Sequence, residues 1–425
     1  MRKMKDSGLE WIGEIPSDWD VTRIGYESWI RARLGWKGLK AEEYVDEGFA
    51  FLSAYNIIND KLLWEKLNFI NEQRYEESPE IKLKKGDVLL VKDGAGIGKC
   101  ARVDDLPLGA STTNSSLAVI STSSGLLYRY LYYYLISPIF QNYISRLLNG
   151  MGVPHLTQEN LKNIKIPLPQ FKEQVMIADF LDGKCADIDQ IRVDVEKQIE
   201  ILTDYKKSVI TETVTKGLDP KAKMKDSGIK WIGKIPKGWT LTKIGNMYSL
   251  RSEKVSDKVF APLSVTKNGV LPQLENVAKT DDGDNRKLVR KGDFVINSRS
   301  DRRGSCGISN LDGSVSLINT VLKPRNEMNP RYYNWLFHTD LFADEFYSWG
   351  HGIVDDLWTT RWQEMKNILI PVPPSTEQKS IAAYLDEKCS EIDATIAEKQ
   401  KQLETLEEYK KSLIFEYVTG KKEVV

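Results

Sequence analysis

Histidine and cysteine are scarce in this 425-residue chain, with three of the first and four of the second. No two cysteines stand in C-x-x-C spacing, so the usual materials of a zinc site are missing. Cys100 and Cys306 occupy matching places after "KGD", and Cys185 and Cys389 both sit in "L-D-x-K-C". All four are expected to be reduced and to act as small apolar side chains of a cytosolic fold. Charge of one sign is also missing: 60 Lys and Arg balance 60 Asp and Glu. No overall basic signature therefore announces a nucleic acid, and none is excluded. Long apolar runs are absent too. The best candidate, "LLYRYLYYYLI" from Leu126, is short, tyrosine-rich and interrupted by Arg129, which suits a packed helix rather than a membrane span. Arg2, Lys3 and Lys5 precede no apolar stretch, so a signal or transit peptide is not expected and a cytoplasmic location is.

What the chain does have is a doubled text. "MKDSGLEWIGEIPSDWDVTRIG" from Met4 returns as "MKDSGIKWIGKIPKGWTLTKIG" from Met224. Tryptophans, a proline and glycines recur in register, which indicates duplication of a folded unit. A second pair begins at Ile166 and Ile370. Each opens on "I-P-x-P" and then runs with almost no Gly or Pro, as a long helix with a hard start. In the second copy Ser375 and Gln378 have capping-box spacing. Leu181, Ile188, Val195, Leu202 and Val209 recur every seven residues, and Leu385, Ile392, Leu406 and Leu413 hold the equivalent places, with Lys399 breaking the series. Such heptads predict coiled-coil pairing of the two helices as a spacer. Two helices packed separately on their own domains is the alternative, and it leaves their length unsupported.

Between the doubled ends the copies agree less. "KKGDVLLVKDGAGIGKC" from Lys84 and "RKGDFVINSRSDRRGSC" from Arg290 both read as turn, strand, loop, strand. The flanking segments diverge: "RARLGWKGLK" from Arg31 has no partner in the second copy, and "NGMGVPHLTQEN" differs from "SWGHGIVDDLWTTRWQ". A kept frame with changed loops suits two recognition domains that read different things. The expected divisions are 1–165, first domain; 166–218, central helix; 219–369, second domain; 370–425, C-terminal helix.

The "W-I-G-x-I-P-x-x-W" opening, the "K-G-D" strand, the "I-P-L-P…E-Q" helix entry and the repetition of all three resemble the DNA specificity subunit of type I restriction-modification systems. The likeness covers nearly the whole chain. It implies a mixed α/β (α+β) fold, with two similar target-recognition domains separated by two long antiparallel coiled-coil helices in a pseudo-twofold repeat. It also implies that each domain reads one half of a bipartite, non-palindromic site in double-stranded DNA. The helices would set the gap and dock adenine methyltransferase subunits, two of them, with a nuclease/translocase subunit joining that core. No cofactor is implied for this chain; S-adenosylmethionine, ATP and magnesium would belong to the partners.

Catalytic motifs do not displace this reading. "DGAGIGKC" from Asp93 mimics a phosphate-binding loop, but its first glycine is one residue too close, Cys100 replaces the Ser or Thr that magnesium needs, and no helix pattern follows. Asp355, Asp356, Glu364 and Lys366 mimic a nuclease cluster, yet the first copy keeps only Lys162, opposite Lys366. Neither a glycine-rich cofactor loop nor an N-P-P-Y motif is present. The chain is expected to be non-catalytic.

Base reading needs Arg or Lys for guanine and Asn or Gln for adenine, so cationic residues of the divergent loops are the candidates. In the first copy these are Arg31, Arg33, Lys37, Lys40, Lys92 and Lys99, with Trp36 and His155. In the second they are Arg251, Lys254, Lys267, Arg299, Arg302, Arg303, His351 and Arg361. The cluster "SRSDRRGSC" stands out, because three arginines at a strand-to-strand turn have no core-facing role; Trp36 and Trp358 serve equally well as packing anchors. A different class of function, a two-domain protein-binding adaptor bridged by the coil, fits the neutral charge. The arginine-bearing loops fit DNA.

Overall fold

A computed structural model describes the chain except for residues 1, 34–38, 95, 149–154, 274–282, 326–327, 353–357 and 425. The chain divides into two compact units, Met1–Val195 with Gln402–Val425, and Glu196–Lys401. The division falls inside both long helices, Phe171–Lys216 and Ser375–Val418, so each unit owns one end of each helix. Among the described residues no helix is long and apolar enough to cross a membrane. The tyrosine-rich segment forms the short helix Tyr128–Ile136, whose Tyr130, Tyr133 and Tyr134 are buried.

The doubled text folds the same way twice. In the first unit Met4–Asp6 pairs with Glu14–Pro16, and Asp20–Arg23 pairs antiparallel with Lys165–Leu168. In the second unit Met224–Asp226 pairs with Lys234–Pro236, and Thr240–Lys243 with Leu369–Val372. The motif residues explain themselves through packing. Trp19 and Trp239 are each about 1% exposed, and each indole N–H donates 2.9 Å to the glutamate of its "E-Q", Glu173 or Glu377. A buried indole needs such a partner. The glutamine beside it closes the helix entry: Gln174 accepts from Leu127 N–H and donates to the Gly125 and Pro169 carbonyls. Gln378 likewise accepts from Asn329 N–H and donates to Pro373 O. The expected capping box at Ser375 is therefore corrected, because the Gln378 amide is buried and committed to the preceding loop instead.

Each unit also holds the end of a long helix against its opening motif. In the first, the Tyr130 hydroxyl donates to Val418 O at 3.0 Å, and Gly420, with φ +67°, lies so close to Pro16 that a Cβ would sit 2.4 Å from Cγ. In the second, Tyr332 donates to Val214 O at 2.9 Å, and a Cβ on Gly217 would sit 3.3 Å from the Trp239 ring. Only glycine fits at such approaches and at positive φ.

The core of each unit is a four-stranded antiparallel sheet. Its order is Cys100–Arg102, Asp87–Val91, Leu117–Thr122, Ser28–Arg31 in the first unit. The second repeats it as Cys306–Ile308, Phe294–Asn297, Asn319–Pro324, Tyr248–Leu250. The "K-G-D" aspartate opens the strand Asp87–Val91 in the first copy, immediately precedes Phe294–Asn297 in the second, and is buried in both. The additional sheets differ. The first unit joins Ser111–Thr113 to Phe49–Leu52 in parallel, whereas the second builds Lys254–Val255, Arg286–Val289 and Gly313–Val315 antiparallel. Divergent sequence thus lies outside a shared frame.

The helices keep a buried stripe. Leu181, Ile188, Val195, Leu385, Ile392 and Leu413 are buried, and Leu202, Val209 and Leu406 are half-buried. In the first unit the two helices run antiparallel, with the Phe180 ring tilted against Tyr417 and Lys410 bonded to Asp189. In the second, Lys399 bonds Gln198 and Lys206 bonds Asp393. Lys399, which interrupts the heptads, is half-buried and sends its ammonium to the opposite helix, as a long stem with a charged head can do.

Candidate nucleic-acid interface

In the first unit, the segment after strand Asp87–Val91 meets the segment that ends the late loop. Leu156 N–H donates 2.9 Å to Lys92 O, and Asp93 and His155 form an isolated antiparallel bridge. The Asp93 carboxylate takes the Lys92 ammonium at 2.6 Å and His155 Nδ1. Burial pushes this carboxyl up, but the bonds from Lys92 and His155 outweigh it and hold Asp93 below the ordinary Asp value. Lys99, exposed, belongs to the same loop.

The second unit uses the same backbone frame with other side chains. Thr360 N–H donates 3.0 Å to Ser298 O, and Arg299 forms the bridge with Thr359. The loop turns through a short 3-10 helix, Ser300–Arg302. Asp301 lies 3.1 Å from Arg299 and 3.7 Å from Arg302, while Arg303 pairs with Asp344 and reaches Asp340 O at 3.3 Å. His351 pairs through its backbone with Thr359, and exposed Arg361 precedes the short helix Trp362–Met365. Segments about sixty residues apart in sequence thus meet at one edge of each unit. Trp358 donates to Tyr347 O at 2.8 Å and packs on Gly350, so it serves as an anchor of this loop.

Other candidates fall elsewhere. Arg31 is a correction: its side chain is 4% exposed and paired at 2.8 Å with Asp87, which also accepts from Ser121 and from Lys84 N–H. Arg251 holds the equivalent place, 2.6 Å from Asp293, which accepts from Arg290 N–H. These arginines belong to the duplicated frame. Arg33 is also withdrawn from solvent, its side chain 5% exposed and 3.8 Å from Glu77. Lys40, Lys254 and Lys267 are exposed on separate segments. Trp36 and Lys37 lie outside the described residues, as do Asp355 and Asp356 of the nuclease-like set. Lys162 and Lys366, kept in both copies, pack against Gly25 and Gly245, where a Cβ would sit 2.8 and 3.1 Å from their own Cβ atoms. Their retention is structural. Among the described residues no three His, Cys, Asp or Glu gather as a metal site.

Tyr55 was not singled out by the sequence, yet its side chain is 91% exposed. It sits on the 3-10 turn Ala54–Asn56, stiffened by reciprocal Ser53 and Asn56 bonds. The strand end before that turn and the end of the Asp87–Val91 strand both bond the segment 114–116: Asn114 N–H donates to Leu52 O, and Lys92 N–H to Ser116 O. A lone "A-Y-N" carries no pattern that would have marked it.

Comparison with known proteins agrees with this architecture. Residues 35–201 match the family model for the type I restriction modification DNA specificity domain. The chain is 26% identical over 430 residues to the type I restriction enzyme MjaVIII specificity subunit of Methanocaldococcus jannaschii, covering 96% of this chain and 93% of that one. It is 24% identical over 213 residues to the EcoKI specificity subunit of Escherichia coli K12, covering 49% and 45%. Among solved structures, a chain from a type I R-M system matches with a TM-score of 0.70 at 17% identity over 96% of this chain and 99% of that one. The HsdS subunit from Thermoanaerobacter tengcongensis matches with a TM-score of 0.51 at 17% identity, covering 96% and 98%. Duplicated frame, long helices and relatives together make the chain similar, over nearly its whole length, to the specificity subunits of type I restriction-modification systems.

Proposed function

We propose that each unit reads one half of a bipartite, asymmetric DNA site, through the edge where its strand-end loop meets its late loop. One observation carries this reading. The same backbone bridge holds Asp93 with His155 in the first unit and Arg299 with Thr359 in the second. Equivalent positions with opposite charge present different donors and acceptors to a groove, so the half-sites differ. The paired helices set the gap between the half-sites and dock adenine methyltransferase subunits, two per chain, and a nuclease/translocase subunit completes the complex. S-adenosylmethionine, ATP and magnesium serve those partners; this chain's part is recognition and not catalysis.

The test is alanine replacement in the arginine loop. Among Arg299→Ala, Arg302→Ala and Arg303→Ala, loss of a base contact is expected to cost about 1–3 kcal/mol and relax one position of one half-site. Loss of a phosphate contact is expected to weaken all sequences alike and to flatten the salt dependence. Methylation patterns and binding isotherms unchanged in all three variants would remove this loop from the interface.

A further inference from the structure

The two opening motifs fold alike and carry opposite charge. Residues 223–243 hold six lysines and one acid, Asp226, whereas residues 3–23 hold Lys3, Lys5 and Arg23 with five acids. The difference falls where the fold leaves side chains in water: Lys230, Lys234 and Lys237, all exposed, stand where the first copy has Glu10, Glu14 and Ser17. Folding does not decide these charges. Asp226 faces Lys234 across one hairpin and Asp6 faces Glu14 across the other, so the strands pair with either sign there. The buried residues are the same in both copies, Ile235 and Trp239 matching Ile15 and Trp19. Lys225 is committed to the frame, since its ammonium donates to the Lys237 and Trp239 carbonyls at 3.0 and 2.6 Å. Among the described residues no such bond or ion pair engages the side chains of Lys230, Lys234 and Lys237.

The motif is joined to the late loop of its own unit. Its strand Thr240–Lys243 pairs with Leu369–Val372, and that strand follows Arg361 and the helix Trp362–Met365. Lys243 Nζ reaches Asn367 Oδ1 at 3.4 Å, and Gly245 N–H donates to Lys366 O at 2.9 Å. Cations thus run from the late loop into the hairpin. A lysine ammonium is a compact point charge without the planar fork of arginine, so it suits phosphates better than base edges. In a chain of zero net charge, a local excess of this kind draws a polyanion to one place. We infer that Lys230, Lys234 and Lys237 bind backbone phosphates of the duplex beside the second half-site, and that the equivalent positions of the first unit make no such contact. The two halves of the site are then held unequally, with base reading at both and an added charge clamp at one. The inference rests on the reading of the second unit as a DNA reader.

The experiment uses the full chain with its methyltransferase partner and two duplexes, one bearing the methylated site and one unrelated, titrated from about 50 to 200 mM salt. Each phosphate contact contributes about 0.9 to the slope of log affinity against log salt. For the combined variant Lys230→Gln, Lys234→Gln, Lys237→Gln, the loss of affinity across that range is expected to shrink by roughly 12-fold if two contacts go and roughly 40-fold if all three do. The preference for the site over the unrelated duplex should stay the same, since phosphates carry no sequence. Lys230→Glu, Lys234→Glu, Lys237→Ser together, the residues that the first motif carries in the same fold, should flatten the slope at least as much. A change under about fourfold, the effect of one contact, would overturn the clamp. So would failure of the variants to retain the methyltransferase subunit, which would make the patch a protein-docking surface. If the arginine variants leave the second half-site unchanged, the DNA reading of the unit fails; if they relax it and the lysine variants leave the slope as it was, only the phosphate contact fails.

Discussion

Asp87→Ala is expected to destabilise the first unit by about 3–5 kcal/mol, the range for stripping one partner from a buried ion pair. Both side chains are nearly inaccessible, Arg31 at 4% and Asp87 at 2%. The Asp87 carboxylate takes the Arg31 guanidinium at 2.8 Å, Lys84 N–H at 2.8 Å and the Ser121 hydroxyl. Alanine leaves a guanidinium inside the sheet with much of its compensation gone. A domain commonly holds about 5–15 kcal/mol in all, so much of the unit's stability is at stake. The equivalent Asp293→Ala should cost less, because Arg251 is 18% exposed and can turn toward water. Urea unfolding of the purified chain checks this. Loss of less than about 1 kcal/mol in Asp87→Ala would mean that the pair is solvated and not part of the frame.

A matched heptad in both long helices should change the DNA gap and nothing else. The bonds Lys399 to Gln198 and Lys206 to Asp393 set an antiparallel register in which Leu202 faces the neighbourhood of Ile396. Seven residues after Leu202 with seven after Ile396 therefore preserve the seam locally, which a partner insertion after Leu406 would not. The helices lengthen by about 10 Å, equivalent to roughly three base pairs of B-DNA. The half-sites are expected to stay the same while the gap grows by about that amount or somewhat less, since a tilted coil projects less than its length on the DNA. Seven residues in one helix alone should abolish activity, because Lys206 and Asp393 no longer meet. A methylome with the old gap and full activity would show that the helices do not set it.

Much of this was legible because duplication tests itself. Trp19 and Trp239, Glu173 and Glu377, and the two "K-G-D" aspartates are readable as frame simply by recurring. Their physical reasons are not, since each depends on a partner far along the chain: Trp19 meets Glu173, and Arg31 meets Asp87. Arg31 reads as a DNA contact because it opens a divergent stretch; its own recurrence as Arg251 is the signal that it belongs to the frame. Gln378 shows the limit of local spacing. Its distance from Ser375 suits a cap, but an amide inside the core satisfies the carbonyl and N–H of a loop first. The meeting of Asp93 with His155, and of Arg299 with Thr359, lay beyond any periodicity, because it follows from how the sheet orders its strands.

Two units on one frame are expected to read two different sequences. Residues 246–369 would be replaced by the equivalent segment of a relative, and the methylome of cells carrying the chain with its methyltransferase partner compared before and after. One half of the methylated site is expected to change while the other half and the gap remain; a site that changes in both halves, or in neither, would show that the units are not two separate readers.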